Sequence, residues 1–312
     1  MADELSCSPR AETAADAASV ASAVPAASVT SVESTAPAAS SVISASALPE
    51  CFAPDSSVPA LPAPVFRFAE VPSALDSAHE LIRASALPDW GSVLAERQTA
   101  GRGQLRRHWH SPAGNVYAAL RLPAVPPFTG SAAAPAVGAL MALALRRMGV
   151  PAGLKWPNDL VWEEAGRVWK FGGILLEERA GAVVAGIGVN VQWAPPAEEM
   201  RRDAAIPATH LAHIVQKITF SGELLRAETL WYLLVSQMFS AYNGFQSYAS
   251  LWKEAAESCL LWKGRNVVLD DAGAMVCGTL LGLGDCGGLR LSVRAGEFLS
   301  GSLRLAAGTG RP

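Results

Sequence analysis

The chain changes chemical character at Val65, and that change decides how much of it can fold. Residues 1–64 are mostly Ala, Ser, Pro and Val, with seven acidic residues and the single base Arg10, and they show neither helical nor strand periodicity. Such a segment buries too little apolar surface to offset the entropy of ordering it, so a disordered tail is expected. The hydrophobic content of 50% is therefore partly tail alanine. The net charge of −3 likewise divides into −6 on the tail and +3 on residues 65–312. A surplus that small argues against a large nucleic-acid footprint.

Other classes are excluded on similar grounds. The longest apolar stretch, Ala132 to Leu145, is too short to span a bilayer and is interrupted by Pro135 and Gly138. The first residues, Met-Ala-Asp-Glu-Leu, are acidic where a secretory signal would be basic. The five cysteines are odd in number and form no Cys-x-x-Cys pair, which speaks against a disulfide framework or a structural zinc. A cytoplasmic protein with reduced thiols is expected.

From Val65 the pattern predicts an α+β body. Strands are expected at Val65–Ala69, Ser92–Glu96, Asn115–Leu122, Gly153–Trp156, a hairpin ending in Gly172–Glu177, and Ala182–Val191. Helices are expected at Asp76–Ala86, Pro135–Met148, Gly222–Phe245 and Tyr248–Glu257. The strands suggest a mixed, mostly antiparallel sheet. Gly264–Leu305 differs: short strands at 266–269, 275–283, 289–293 and 297–305, separated by Asp/Gly turns, suggest a small barrel packed on the body. The expected organisation is a tail at 1–64, a catalytic body at 65–262 and an end domain at 263–312.

Four segments carry chemistry. In Gln98-Thr-Ala-Gly101-Arg102-Gly103-Gln104-Leu-Arg106-Arg107-His-Trp109, glycines around an arginine permit close backbone approach, and three guanidiniums suit phosphate or carboxylate. A solvated basic loop would read the same way. In Lys155-Trp-Pro-Asn158-Asp159, the lysine offers positive charge to phosphate oxygens and the aspartate can hold Mg²⁺, although an Asx-turn with surface charges fits equally. The third is Lys170-Phe-Gly172-Gly173-Ile-Leu-Leu-Glu177. The fourth, Gly186-Ile-Gly188-Val-Asn190, lacks the Gly-x-Gly-x-x-Gly dinucleotide fingerprint. His210 and His213 stand at helical spacing without a third ligand and read as satisfied surface histidines.

In this order, together with Ser111-Pro-x-Gly-Asn-x-Tyr117, these motifs resemble the catalytic domain of biotin protein ligases. The resemblance runs from about Val65 to Leu305, and the C-terminal strands after Lys263-Gly-Arg265 resemble the family's SH3-like end domain. It implies a monofunctional ligase that uses ATP and Mg²⁺ as a substrate complex, holds no tightly bound cofactor, and makes biotinyl-5′-AMP. The biotinyl group then passes to a lysine of a biotin carboxyl carrier domain. The resemblance assigns Ser77, Ala78, His79, Gln98, Arg102, Gly103, Gln104 and Lys170 to biotin. It assigns Arg102, Asn158, Asp159, Gly188, Asn190 and Arg265 to ATP, with Asp159 at the Mg²⁺. Arg102, Lys155 and Lys170 become the catalytic charges.

The sequence departs from the family pattern in two places. Ser77-Ala78-His79 replaces Ser-Thr-Asn, which removes hydrogen-bonding groups for the biotin ureido, and Gln104 stands where the family has a second loop arginine, so weaker retention of the adenylate is expected unless Arg106 substitutes. A lipoate or octanoate ligase and a non-catalytic biotin-binding protein are the alternatives. The tail cannot form the winged helix of bifunctional members, so no DNA partner is expected. Nor is a membrane partner, while a homodimer joined at a sheet edge is compatible with the resemblance.

Overall fold

A computed structural model describes residues 60–196, 198, 206–217, 225–244 and 248–306. The expected tail lies outside the described residues except for its last five, 60–64. A seven-stranded sheet forms the centre, in the order β1 (Val65–Val71), β2 (Ser92–Gln98), β3 (Val116–Leu122), β7 (Ala182–Val189), β6 (Arg167–Arg179), β5 (Asp159–Glu164), β4 (Gly153–Lys155). Of these strand pairs only β1–β2 is parallel. The mixed, mostly antiparallel sheet follows the sequence expectation.

The period-2 alternation of the strands sends side chains to two separate cores. Val93, Ala119 and Val184 meet Leu75, Ala78 and Leu81 of helix α1 (Ala74–Arg83) on one face. Leu94, Ala118, Leu120, Val183 and Ala185 point the other way. There they join the core that also contains α2 (Ala133–Arg147) and residues of α4 (Ala227–Gly244) and α5 (Tyr248–Cys259). Pro135 sits in the first turn of α2, where its missing N–H costs nothing, and Arg146 and Arg147 occupy the last turn. A short helix α3 (Leu211–Val215), absent from the sequence expectation, is capped by the His210 ring, which accepts from the His213 amide at 3.2 Å.

Several boundaries differ from expectation. Helix α1 stops at Arg83 rather than Ala86, because the chain reverses through Ser85 at φ 55°. The start of the helix expected from Gly222, and its last residue Phe245, lie outside the described residues. In the C-terminal sheet, ordered β10 (Leu289–Leu291), β9 (Ala274–Leu283), β8 (Asn266–Asp271), β11 (Ser302–Leu305), the last expected strand is shortened. Phe298 makes only an isolated bridge to Leu289, and Gly301 at φ 128° breaks the run before β11.

This small sheet shares its core with the body. Val267, Leu269, Leu280, Leu289 and Leu303 belong to the same apolar cluster as Leu154 and Trp156. The Trp156 indole donates to the Gly287 carbonyl at 2.8 Å in a buried contact. Among the described residues no helix is long and apolar enough to cross a membrane.

Candidate active site

The site lies on the α1 side of the sheet, where β6 and β7 run out of side chains. Beyond Val184, β7 presents Gly186 and Gly188 on this face, and Gly173 of β6 pairs with Gly188. A Cβ on Gly186 would come within 2.7 Å of Leu75, and one on Gly188 within 2.7 Å of the Trp109 ring. The glycines are thus required by close packing above them, and Leu75 and Trp109 fill the space that side chains would take on this floor. Over it opens a cavity of about 1180 Å³.

Lys170 reaches this cavity through a bulge. Leu160 pairs with Gly172 while Val161 pairs with Lys170, so Phe171 is the extra residue on β6. Phe171 turns into the core at 0% exposure, and Lys170 is re-aimed to the face of Gly173. Its Nζ lies 2.6 Å from Asp159 Oδ1 and 5.4 Å from the Trp109 ring centroid. Lys155, at the end of β4, is buried with its Nζ 4.0 Å from Asp159 Oδ2. Burial, only partly offset by Asp159, pushes the Lys155 pKa down, and Lys170 adds to the effect. One carboxylate thus sits beside two ammonium groups, leaving local positive charge suited to an anionic ligand.

The loop after β2 forms the opposite wall. Its ends are tied by Trp109 N–H to the Gly101 carbonyl (2.9 Å) and Gly103 N–H to the Arg107 carbonyl (2.7 Å). A side chain on Gly101 would collide with the Trp109 carbonyl and the Ser111 hydroxyl. Arg102 points at α1 and β6, with NH1 and NH2 at 2.6 and 2.9 Å from the Asp76 carboxylate and NH2 3.3 Å from Glu177 Oε1. The hydrogen bond from Arg102 is the main cause holding the Asp76 carboxyl below its usual pKa. Gln98 is engaged at both ends, accepting from the Ala74 amide (2.9 Å) and donating to Ser111 (3.0 Å).

Of the residues expected at the site, Gln98, Arg102, Gly103, Gln104, Lys155, Asn158, Asp159, Lys170, Gly188 and Asn190 line the cavity. Asn158 and Asn190 also brace it, donating to the Ile174 and Thr209 carbonyls at 2.7 and 3.1 Å. Ser77, Ala78 and His79 do not line it: all three are buried in α1, one turn beyond the lining residues Ser73, Ala74 and Leu75. Burial lowers the pKa of His79, whose Nε2 lies 3.4 Å from Glu177 Oε2. Arg265 is also outside, half-exposed and 3.8 Å from Glu163. The C-terminal sheet instead contributes Asp270, Gly273, Leu299, Ser300 and Arg304 to the wall. The Asp271-Ala-Gly273 turn is visible in the sequence, but nothing in it indicates which way it faces.

Residues 66–193 match the Biotin/lipoate A/B protein ligase family. The chain is 31% identical over 243 residues to the bifunctional ligase/repressor BirA of Bacillus spizizenii, covering 72% of this chain and 68% of that one. It is 32% identical over 236 residues to the biotin–[acetyl-CoA-carboxylase] ligase of Paracoccus denitrificans, covering 71% and 92%. Among solved structures, a mutant of the biotin protein ligase of Aquifex aeolicus in complex with biotin aligns with a TM-score of 0.60 at 26% identity, over 78% of this chain and 98% of that one. The Aquifex ligase in complex with biotin and ATP aligns at 0.58 and 25% identity, with the same coverage. The chain belongs to the biotin/lipoate A/B protein ligase family.

Proposed function

We propose that this chain is an ATP-dependent biotin protein ligase. In the first step the biotin carboxylate oxygen bonds to the α-phosphorus of MgATP, the bond to pyrophosphate breaks, and biotinyl-5′-AMP is formed. In the second, the amine of a carrier-domain lysine bonds to the biotinyl carbonyl, AMP leaves, and the amine proton is lost to solvent. Neither step needs a covalent enzyme nucleophile; both need positioning and neutralisation of phosphate charge.

The observation that carries this reading is the convergence of Lys155, Lys170 and the Gly101–Trp109 loop over the glycine floor of β6 and β7. Gly173 and Gly188 let the Trp109 ring seat close to the sheet, where it offers a flat apolar face to a ligand in the cavity. Lys170 is assigned to the biotin carboxylate and α-phosphate, with Lys155 as the buried charge behind it. Asp159 is assigned to holding Lys170, because its nearer oxygen is 2.6 Å from that ammonium. A magnesium ion arriving with the nucleotide would compete with Lys170 for it. Gln98, Gly103 and Gln104 are assigned to the biotin side, and Asn158, Gly188 and Asn190 to the nucleotide side.

The carrier domain is a protein of the biotin carboxyl carrier class. The charge of only +3 on residues 65–312 favours this partner over DNA. A homodimer would form along β1, which among the described residues has a sheet neighbour on one side only. The cytoplasm, where thiols such as Cys259, Cys277 and Cys286 stay reduced, is the proposed location. We place the boundary between body and end domain at Trp262–Lys263.

Exchange of labelled pyrophosphate into ATP tests the first step. Biotin-dependent exchange supports the reading, whereas exchange with lipoate alone, or biotin binding without exchange, contradicts it.

A further inference from the structure

Lys155 stands at the least supported edge of the central sheet. Strand β4 has three residues, ends the sheet, and has β5 as its one strand neighbour among the described residues. Lys155 and Asp159 pair across the last rung of this hairpin, and Trp156, Pro157 and Asn158 form the turn between them. The inner side of the turn is tied to β6: the Asn158 side chain donates to the Ile174 carbonyl at 2.7 Å, and the Ile174 amide donates to the Asn158 carbonyl at 3.0 Å. The outer side is held from beyond the sheet. There the Leu261 amide donates to the Leu154 carbonyl at 2.8 Å, and the buried Trp156 indole donates to the Gly287 carbonyl, also at 2.8 Å.

The acceptor of that indole is itself gripped. Residues 284–288 turn between β9 and β10, closed by the Gly284 amide on the Gly288 carbonyl at 2.9 Å and the Gly287 amide on the Gly284 carbonyl at 3.1 Å. One carboxylate, Glu297, accepts from the Cys286 amide at 3.2 Å and the Gly288 amide at 2.9 Å, on either side of Gly287. The Ser131 hydroxyl, ahead of α2, donates to the Cys286 carbonyl at 2.6 Å. A Cβ on Gly287 would come within 2.6 Å of the Ala132 Cα, so the turn lies directly against the body. Amides bonded to a carboxylate make charge-assisted contacts, among the stronger hydrogen bonds a turn can have.

We infer that Glu297 and Ser131 are positioning residues for the Lys155–Asp159 turn. They fix residues 284–288, and Trp156 carries that fixed point to the turn that holds Lys155, Asn158 and Asp159. Neither Glu297 nor Ser131 lines the cavity, so their effect on the reaction passes through Trp156. The walls that carry Gln98, Gly103 and Gln104 have their own ties, to Ala74, Ser111 and Arg107. Loosening the anchor therefore bears on the charge at the reacting phosphate and not on the biotin side of the site.

The inference rests on the proposed ligase activity only for its kinetic readout, so its test has two arms. The first is amide hydrogen exchange of the full chain, with mass spectrometry of the peptide spanning residues 153–162. In Glu297→Ala that peptide should exchange on the order of tenfold faster, with a peptide from β3 at its wild-type rate. Glu297→Gln, which keeps one acceptor, should fall between. Thr279→Val, which breaks the exposed Asn266 contact in the same small sheet, should leave the peptide unchanged. If Glu297→Ala fails to fold, Ser131→Ala, which loses an exposed contact, carries the same expectation. The second arm is biotin-dependent pyrophosphate exchange, where kcat should fall several-fold with the KM for biotin changed less than twofold.

A wild-type rate for the 153–162 peptide in Glu297→Ala, or in Ser131→Ala where it stands in, would overturn the inference. So would faster exchange matched in β3, or a raised KM for biotin at constant kcat. If the wild-type chain shows no biotin-dependent pyrophosphate exchange, the proposed function fails, while hydrogen exchange still decides the anchor.

Discussion

Lys155 and Lys170 share Asp159 unequally, and the difference sets what each costs the fold. Lys170 has the short contact and an open side toward the cavity; Lys155 has the long one and is buried. Because burial lowers the folded-state pKa of Lys155 below 10.5, the unfolded chain binds more protons in the window between the two values. Stability from this group therefore rises as pH climbs through that window. Lys155→Met is expected to stabilise the fold by on the order of 1 kcal/mol at neutral pH, flatten that alkaline rise, and reduce pyrophosphate exchange at least tenfold. Urea melts at several pH values, set beside exchange rates, check it. At Gln104, the exposed polar residue on the loop, Gln104→Arg is expected to slow release of biotinyl-5′-AMP from the purified chain several-fold, measured by rapid filtration. For single residues the sequence is a good guide to which side chains carry charge to the site. It is a poor guide to what they touch: Asp76 and Glu177 stand in recognisable segments without a legible role, since only the fold brings them to one guanidinium.

The glycine-rich end of β7 and the loop that covers it behave as one element. Gly186-Ile-Gly188 reads as a strand and not a dinucleotide turn, because Val191 stands where the third glycine of Gly-x-Gly-x-x-Gly would be. Its purpose becomes visible only with Leu75 and Trp109 packed on the two glycines. Gly188→Ala is expected to leave the circular dichroism spectrum intact and to displace Trp109, cutting exchange by tenfold or more. An unchanged rate would mean that the ring does not seat there. The bulge at Phe171 escapes the sequence for a physical reason: alternation along one strand does not reveal the register of its partner. Under strict alternation, Lys170 and Gly173 fall on opposite faces; the extra residue puts them on the same one. Helix α1 is legible as a helix, and its apolar spacing places Leu75, Ala78, Leu81 and Ile82 on the one face that packs on the sheet. The assignment of Ser77, Ala78 and His79 to biotin comes from the family resemblance alone, and the cavity is lined one turn earlier, by Ser73, Ala74 and Leu75.

Across the whole molecule, the cavity is completed by a sheet that begins at Asn266, long after β7 ends at Val189, yet shares the body's core. Trp156 ties the two together through the Gly287 carbonyl. Trp156→Phe should cost about 1–3 kcal/mol by leaving that buried acceptor without its partner, seen as a lower urea midpoint. The small C-terminal sheet is legible from its turns; the family resemblance assigns Arg265 to ATP, and the residues of this sheet that line the cavity wall include Asp270, Leu299 and Arg304. Strand pattern gives the existence of such a sheet; which of its loops faces the body depends on long-range packing. If this cavity activates biotin and hands it to a carrier, the product is a covalent change in a second protein. Incubating the full chain with biotin, MgATP and a biotin carboxyl carrier domain, followed by mass spectrometry of the carrier, reads that change. A gain of one biotinyl group on one lysine is expected, lost with Lys170→Met; an unmodified carrier, or one modified only when lipoate replaces biotin, would contradict the proposed activity.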